Sequence, residues 1–314
     1  MASVIEVCGL AKSFGNVQAV AGVDFDVREG ELFGFLGPNG AGKTTTVRML
    51  TGVLDPTEGT AAIEGHDIRT ESLLSRAHLG VVPEQANVYL DLSVWRNLML
   101  MAELHGVPHG QRVREGERLL EALDLAGRKG DKARTLSKGL RQRLVLCAAL
   151  VTDPEILFLD EPTSGLDVVS ARLIRQIVRD LNGNGLTVFL TTHNMDEAEE
   201  MCSRVAIINQ GRIVAIDTPE QLRSAMQSSQ YLEAVLAGGQ IDAVELEQLP
   251  GTLRVSCEGE RIHLYTERPG PLAMKVAQLA EAKGLQIIHL CTRKPSLEDV
   301  FLYFTSDQVQ EPSQ

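Results

Sequence analysis

Near the start of the chain, apolar positions recur in strand fashion: Val4, Ile5 and Val7, then Val23, Phe25 and Val27 after a turn around Phe14-Gly15-Asn16. This pattern predicts strands. The stretch from Glu31 to Gly37, "ELFGFLG", is a short, nearly continuous apolar strand ending in glycine. From Ala86 to about Leu150 the period changes. Leu98, Met101 and Leu104, then Leu119, Leu120 and Leu123, recur at helical spacing. Within that region Ser137 suits a helix N-cap, with Leu140, Leu144 and Ala148 following at helical spacing. "EILFLD" (Glu155 to Asp160) and "LTVFLTT" (Leu186 to Thr192) are the continuous apolar runs of strands buried in a parallel sheet. Between them Ser170 to Leu181 reads as an amphipathic helix. A hairpin turning at Asn209-Gln210-Gly211 and a short helix from Pro219 follow.

After about Gln227 the pattern restarts. Segments 230–237, 252–258, 261–268 and 286–293 read as strands, with helices over 241–249 and 271–283. The β-α-β-β-α-β order predicts a small ferredoxin-like domain. A final helix carries Leu297, Val300, Phe301 and Phe304 at i, i+3, i+4 and i+7, the stripe of a core-facing helix. The expected organisation is therefore α/β: a first domain over 1–227 with a helical subdomain at about 86–150, an α+β domain over 228–306, and a flexible polar tail over 307–314.

Composition narrows the class. A chain of 314 residues accommodates two domains with sizeable cores. Mean hydropathy is −0.02, and no apolar run reaches the length that crosses a bilayer. The N-terminus lacks a basic segment followed by an apolar one, so no secretory signal is expected. The net charge of −12 weighs against a nucleic-acid partner. Cys8, Cys147, Cys202, Cys257 and Cys291 lie far apart, which predicts reduced thiols and a cytoplasmic setting. His105 and His109 have metal-ligand spacing, but Gly106 and Pro108 between them predict a loop.

The chemistry begins where the strand "ELFGFLG" ends. "GPNGAGKTT" (Gly37, Pro38, Asn39, Gly40, Ala41, Gly42, Lys43, Thr44, Thr45) is G-x-x-x-x-G-K-T between a strand and a helix expected near Lys43. Its glycines let successive N–H groups point at phosphate oxygens, and the helix N-terminus adds its dipole. Lys43 is placed to reach the β- and γ-phosphates, and Thr44 to ligate Mg²⁺. A glycine-rich turn that binds nothing is the plain alternative, and the exact spacing weighs against it. "ILFLDEP" supplies the remaining parts of a nucleoside triphosphatase. Asp160 at a strand end is suited to hold Mg²⁺ through water, and Glu161 to polarise the attacking water.

From Val4 to Leu222 the sequence resembles the ATP-binding subunits of ABC transporters. "GPNGAGKTT" matches Walker A, "ILFLDEP" Walker B, "SGLD" (Ser164 to Asp167) the D-loop, and "TTH" ending at His193 the switch histidine. The resemblance implies the following roles. Phe14 stands where the family places an aromatic against adenine; a core phenylalanine is the alternative. "LSKGL" (Leu136 to Leu140) occupies the place of the LSGGQ signature, with Lys138 and Leu140 departing from it. There Ser137, Lys138 and Gly139, with Asp167, would meet ATP held by a partner subunit. The glutamine that senses metal and water falls on Glu84 or on Gln85, and the residues leave that choice open. "PSLEDVFLYFT" resembles ABC-2 type exporter ATPases, which carry drugs, antibiotics, ions or glycolipids outward.

The expectation is an ATPase that uses ATP and Mg²⁺, pairs as a homodimer or with a close relative, and powers an integral membrane permease from the cytoplasmic face. Tyr89, Leu92, Val94, Trp95 and Met99 are the expected permease contacts, with simple core packing as the alternative. A soluble ABC ATPase acting on translation or DNA maintenance is the competing function. Such proteins join two cassettes or carry long coiled-coil insertions, and neither occurs here. A GTPase would need a guanine-reading loop, which is not found. The C-terminal domain presents no catalytic constellation: His263 and His289 have no obvious ligand partners in the sequence, and Cys257 and Cys291 sit in strand patterns.

Overall fold

A computed structural model describes residues 2–225, 230–239, 241–259, 261–293 and 296–306. The expected tail at 307–314 and the expected boundary at Gln227 lie outside the described residues. The chain divides into two compact units, Met1–Ile216 and Asp217–Gln314.

The first unit opens with β1 (Ser3–Phe14), β2 (Val17–Arg28), β3 (Leu32–Leu36) and α1 (Lys43–Leu50). Next come β4 (Glu58–Ile63), β5 (His66–Asp67), α2 (Ser72–Ala77) and β6 (Leu79–Val82). A helical stretch follows with α3 (Val94–Leu104), α4 (His109–Ala122) and α5 (Lys138–Leu150). The unit continues through β7 (Ile156–Asp160), α6 (Val168–Gly183), β8 (Thr187–Thr192), α7 (Met195–Met201), β9 (Arg204–Asn209) and β10 (Arg212–Asp217).

Two sheets form here. A six-stranded sheet has the order β10-β9-β3-β8-β7-β6, with β9, β3, β8, β7 and β6 paired in parallel. A four-stranded sheet has the order β2-β1-β4-β5, paired antiparallel. Every residue of β3, β7 and β8 is buried, as the continuous apolar runs require of strands covered on both faces. The two sheets share one core. Phe189 of β8 packs against Phe158, Phe35, Phe33 and Phe25 with ring centroids 5.1, 5.6, 5.7 and 6.0 Å away. Each such ring removed from water contributes roughly 1.5–3 kcal/mol.

In the helical stretch, Ser93 caps α3 by accepting from the Arg96 N–H at 3.2 Å. Gly116 of α4 lies so close to Met99 and Trp95 that a Cβ there would overlap both side chains. The Lys129 ammonium sits 3.8 Å from the centroid of the Trp95 ring. Val94 is fully buried, so it belongs to the core and is no surface contact, whereas Tyr89 is 53% exposed. His105 caps the C-terminus of α3 and His109 opens α4, so the two do not share a helical face.

The second unit contains α8 (Pro219–Ser224), β11 (Gln230–Ala237), α9 (Ala243–Glu247), β12 (Arg254–Glu258), β13 (Arg261–Thr266), α10 (Pro269–Ala282), β14 (Gln286–Arg293) and α11 (Leu297–Ser306). From β11 to β14 the order is β-α-β-β-α-β, and the antiparallel sheet runs β12-β13-β11-β14, the ferredoxin-like arrangement. Leu232, Ala234 and Leu264 point from the sheet into a core closed by Leu246 of α9 and by Leu272 and Val276 of α10. Leu297 and Val300 of α11 are fully buried, while Phe301 and Phe304 are half-buried. The Tyr265 hydroxyl donates to Asp299 of the same helix at 2.8 Å. The unit begins before α8, ahead of the sequence boundary, and α8 packs on α11. His289, which shows no ligand partner in the sequence, lies 3.1 Å from the Cys291 sulfur.

Candidate active site

The loop after β3 delivers the phosphate-binding sequence to the start of α1, as its strand–loop–helix context predicts. Gly42, the N-cap, has φ 111°, a conformation that L side chains rarely adopt, and a Cβ there would meet the Ala19 carbonyl. The helix therefore begins with no side-chain cap, and its first N–H groups have no intrahelical partners. Lys43 is buried. Its ammonium donates to the carbonyls of Gly37 at 2.7 Å and Pro38 at 3.2 Å, and pairs with Glu161 Oε1 at 3.1 Å.

Asp160 and Glu161 emerge at the C-terminal end of β7, beside that loop. Asp160 Oδ1 accepts from the hydroxyls of Thr44 at 3.3 Å and Thr191 at 2.5 Å. Glu161 adopts φ 51°, strained for a residue with a side chain, and Thr191 over-determines it. The Glu161 N–H is held by the Thr191 carbonyl at 3.1 Å and the Thr191 hydroxyl at 3.2 Å. Its second oxygen, Oε2, lies 2.6 Å from His193 Nδ1. Lys43, Glu161 and His193 thus form one continuous line of charge and hydrogen bonding. A cavity of about 660 Å³ opens beside Thr44 and Asp160, lined also by Glu84, Gln85, Met101 and His105. Both candidates for the sensing residue reach this cavity, and both are exposed.

Other expected residues sit apart from that line. Phe14 ends β1 with 51% of its surface exposed and Lys12 Nζ 5.4 Å from its ring centroid, which rules out the core alternative. Ser137 caps α5 by accepting from the Leu140 N–H at 3.3 Å. The unusual Lys138 reaches within the chain to donate to the Ser164 carbonyl at 2.8 Å, tying "LSKGL" to "SGLD". Gly139 is buried so closely against Ser170 that a Cβ would overlap its side chain. Asp167 caps α6, accepting from the Ser170 N–H at 2.9 Å and the Ser170 hydroxyl at 2.7 Å, and these bonds hold its carboxyl below the ordinary range.

Two further residues hold the site together, and no recognisable motif marks them for that role. Thr191 lies inside "TTH" but gives no signal there that its hydroxyl joins Asp160 to Glu161. Glu197 is a buried carboxylate on α7 that accepts from Thr163 at 2.8 Å and Thr192 at 2.7 Å, binding the segments after β7 and β8 together. No sequence motif singles it out.

Comparison with known proteins decides the family. The sequence profile of the ABC transporter family matches residues 20–164. Over 308 residues the chain is 35% identical to the Nod factor export ATP-binding protein I of Ralstonia nicotianae, covering 98% of this chain and 95% of that one. The chain belongs to the ABC transporter family. A second ABC relative, a daunorubicin resistance ATP-binding protein of Streptomyces coeruleorubidus, is 36% identical over 309 residues, covering 97% and 96% of the two chains. Among solved structures, an ATP-binding subunit of an ABC transporter superposes with a TM-score of 0.65 at 27% identity, over 71% of this chain and 93% of that one. A dimeric ATP-binding cassette in a post-hydrolysis state with ADP and Pi gives a TM-score of 0.62 at 25% identity, over 68% and 98%. This ABC subunit is an ATPase of the exporter type, and the function in soluble machinery is not favoured. Among its described residues no helix is long and apolar enough to cross a membrane.

Proposed function

We propose that this ABC cassette hydrolyses ATP with Mg²⁺ at a site shared between two subunits, and that the cycle drives export through a separate membrane permease from its cytoplasmic face. The carrying observation is the line Lys43–Glu161–His193, buried at Lys43 and Glu161 and open to solvent at His193, beside the Thr44–Asp160 pair. The turn at Gly42, the unpaired N–H groups of α1 and the Lys43 ammonium suit phosphate oxygens. Thr44 Oγ1 and Asp160 Oδ1 are hard oxygen donors side by side, the set that fits Mg²⁺, which when bound neutralises phosphate charge.

In this reading Glu161 orients the attacking water and accepts its hydrogen bond. His193 positions the Glu161 carboxylate and reaches toward the γ-phosphate. Glu84 or Gln85 completes the metal and water contacts from the cavity wall, and Phe14 offers its exposed ring to adenine. Exposed Ser137 and Lys138, with Gly139 and Asp167, face the nucleotide of the second subunit, a homodimer partner or a close relative. Tyr89, Leu92, Trp95 and Met99 receive the permease, with Tyr89 the most accessible of them. The names of the relatives, which concern Nod factor export and daunorubicin resistance, support an outward direction.

Sedimentation velocity of Glu161→Gln with and without Mg-ATP tests the shared site. The expected result is an ATP-dependent dimer that Ser137→Ala weakens. A species whose mass is unchanged by ATP at every concentration overturns the homodimeric form of the proposal.

A further inference from the structure

The sheet of the second unit has two unlike faces. Leu232, Ala234 and Leu264 point into its apolar core, so their neighbours one residue away point to the opposite face. Register aligns polar groups there: Ser256 of β12 opposes His263 of β13, His263 opposes Glu233 of β11, and Glu233 opposes Cys291 of the edge strand β14. His289 stands two residues before Cys291, at the spacing that puts both on one face of a strand.

Glu233 is the centre of this row, and only 5% of its surface is exposed. A buried carboxylate is costly without cationic partners. Arg293 supplies a permanent positive charge with Nε at 3.2 Å, and the ring nitrogens His289 Nε2 and His263 Nε2 lie 3.3 and 3.6 Å from the carboxylate. His289 Nε2 also lies 3.1 Å from Cys291 Sγ. One oxygen, one nitrogen and one sulfur from these three residues all fall within 4.8 Å of one another, and no other such group of three occurs among the described residues. His263 is buried with neither ring nitrogen in a hydrogen bond, next to the carboxylate it would orient.

We propose that Glu233, His289 and Cys291 form a binding site for a divalent transition-metal ion of the Zn²⁺ type. Carboxylate oxygen, imidazole nitrogen and thiolate sulfur are the donors Zn²⁺ takes, and three of them leave a fourth position for water on the exposed side of His289. Binding exchanges the Cys291 S–H bond for an S–metal bond and releases that proton to solvent, with no change of oxidation state. Arg293 is the competitor. Its side chain is 52% exposed and pairs with Glu233, whose charge holds the guanidinium above its ordinary pKa, so it must swing away as the ion enters. The site ties β14 to β11 and lies in the unit that carries no part of the hydrolytic line.

Titration of the full-length chain with Co²⁺ near neutral pH, followed by absorption, provides the test. The expected signal is a thiolate-to-cobalt charge-transfer band that saturates at one equivalent and is displaced by Zn²⁺. A Co²⁺ ion at Thr44 and Asp160 has oxygen donors and gives no such band. Cys291→Ser and His289→Ala should abolish the band, whereas Cys8→Ser and Cys257→Ser should retain it. Arg293→Gln should tighten binding about tenfold by removing the competing cation, a gain that misfolding cannot mimic. Absence of the band in the parent chain, its persistence in Cys291→Ser, or weaker binding in Arg293→Gln would each overturn the proposal.

Discussion

The two units hold their polar groups in different ways. In the first, parallel strands buried on both faces leave no face for chemistry, so functional groups collect where strands end. The Gly37 loop follows β3, Asp160 and Glu161 close β7, and His193 follows β8. In the second, an antiparallel sheet spends one face on its apolar core and carries Glu233, His263 and Cys291 across the other. Parallel architecture concentrates chemistry in short contiguous segments. Antiparallel architecture spreads it over residues that only register brings together.

Mutations sharpen that contrast. Lys43→Ala leaves the Glu161 carboxylate buried beside uncompensated phosphate, and ATP binding should weaken by roughly 100-fold or more, as measured by calorimetry. Phe189→Ala removes the ring around which four other phenylalanines pack, and should cost the first unit about 3–5 kcal/mol in chemical denaturation. The counterpart in the second unit is Leu264→Ala, at about 2–5 kcal/mol, because an aliphatic side chain fills that core. A cost near zero at Leu264 would show that the apolar face does not hold that sheet.

The smallest effect concerns thiols. Burial pushes Cys147 up to about 12 and Cys202 higher still. A raised thiol pKa keeps the group protonated until pH passes the folded value, so at about pH 8 neither reacts as thiolate. Cys8, Cys257 and Cys291 are not fully buried. A chromogenic disulfide reagent should therefore modify these three in the native chain, and Cys147 and Cys202 only after denaturation. Zn²⁺ should then protect Cys291 alone.

The same contrast explains what the sequence reveals. "GPNGAGKTT", "ILFLDEP" and "TTH" are legible because each contact group is contiguous and lies beside a strand whose apolar run announces it. The line from Lys43 to Glu161 to His193 follows from those motifs once parallel pairing brings the strand ends together. Thr191 stays hidden because a strand-end threonine looks like any other β-branched residue, and Glu197 because a glutamate in the first turn of a helix reads as a helix-dipole partner. The β-α-β-β-α-β order is legible from periodicity, but the register that opposes Glu233 to Cys291 is not. Val94 illustrates a further limit. An apolar residue at the start of a helix suits a docking groove or a core equally well, and here the core takes it.

In the proposed cycle Glu161 acts on water, while ATP stays bound through Lys43 and the α1 N-terminus. The most direct measurement compares Glu161→Gln with the parent chain in two assays, ATP binding at equilibrium and phosphate release at steady state. The side chain keeps its size and loses its charge, so binding should remain within a few-fold of the parent while turnover falls by roughly 10²–10⁴-fold. Phosphate release by Glu161→Gln at the parent rate would contradict the account.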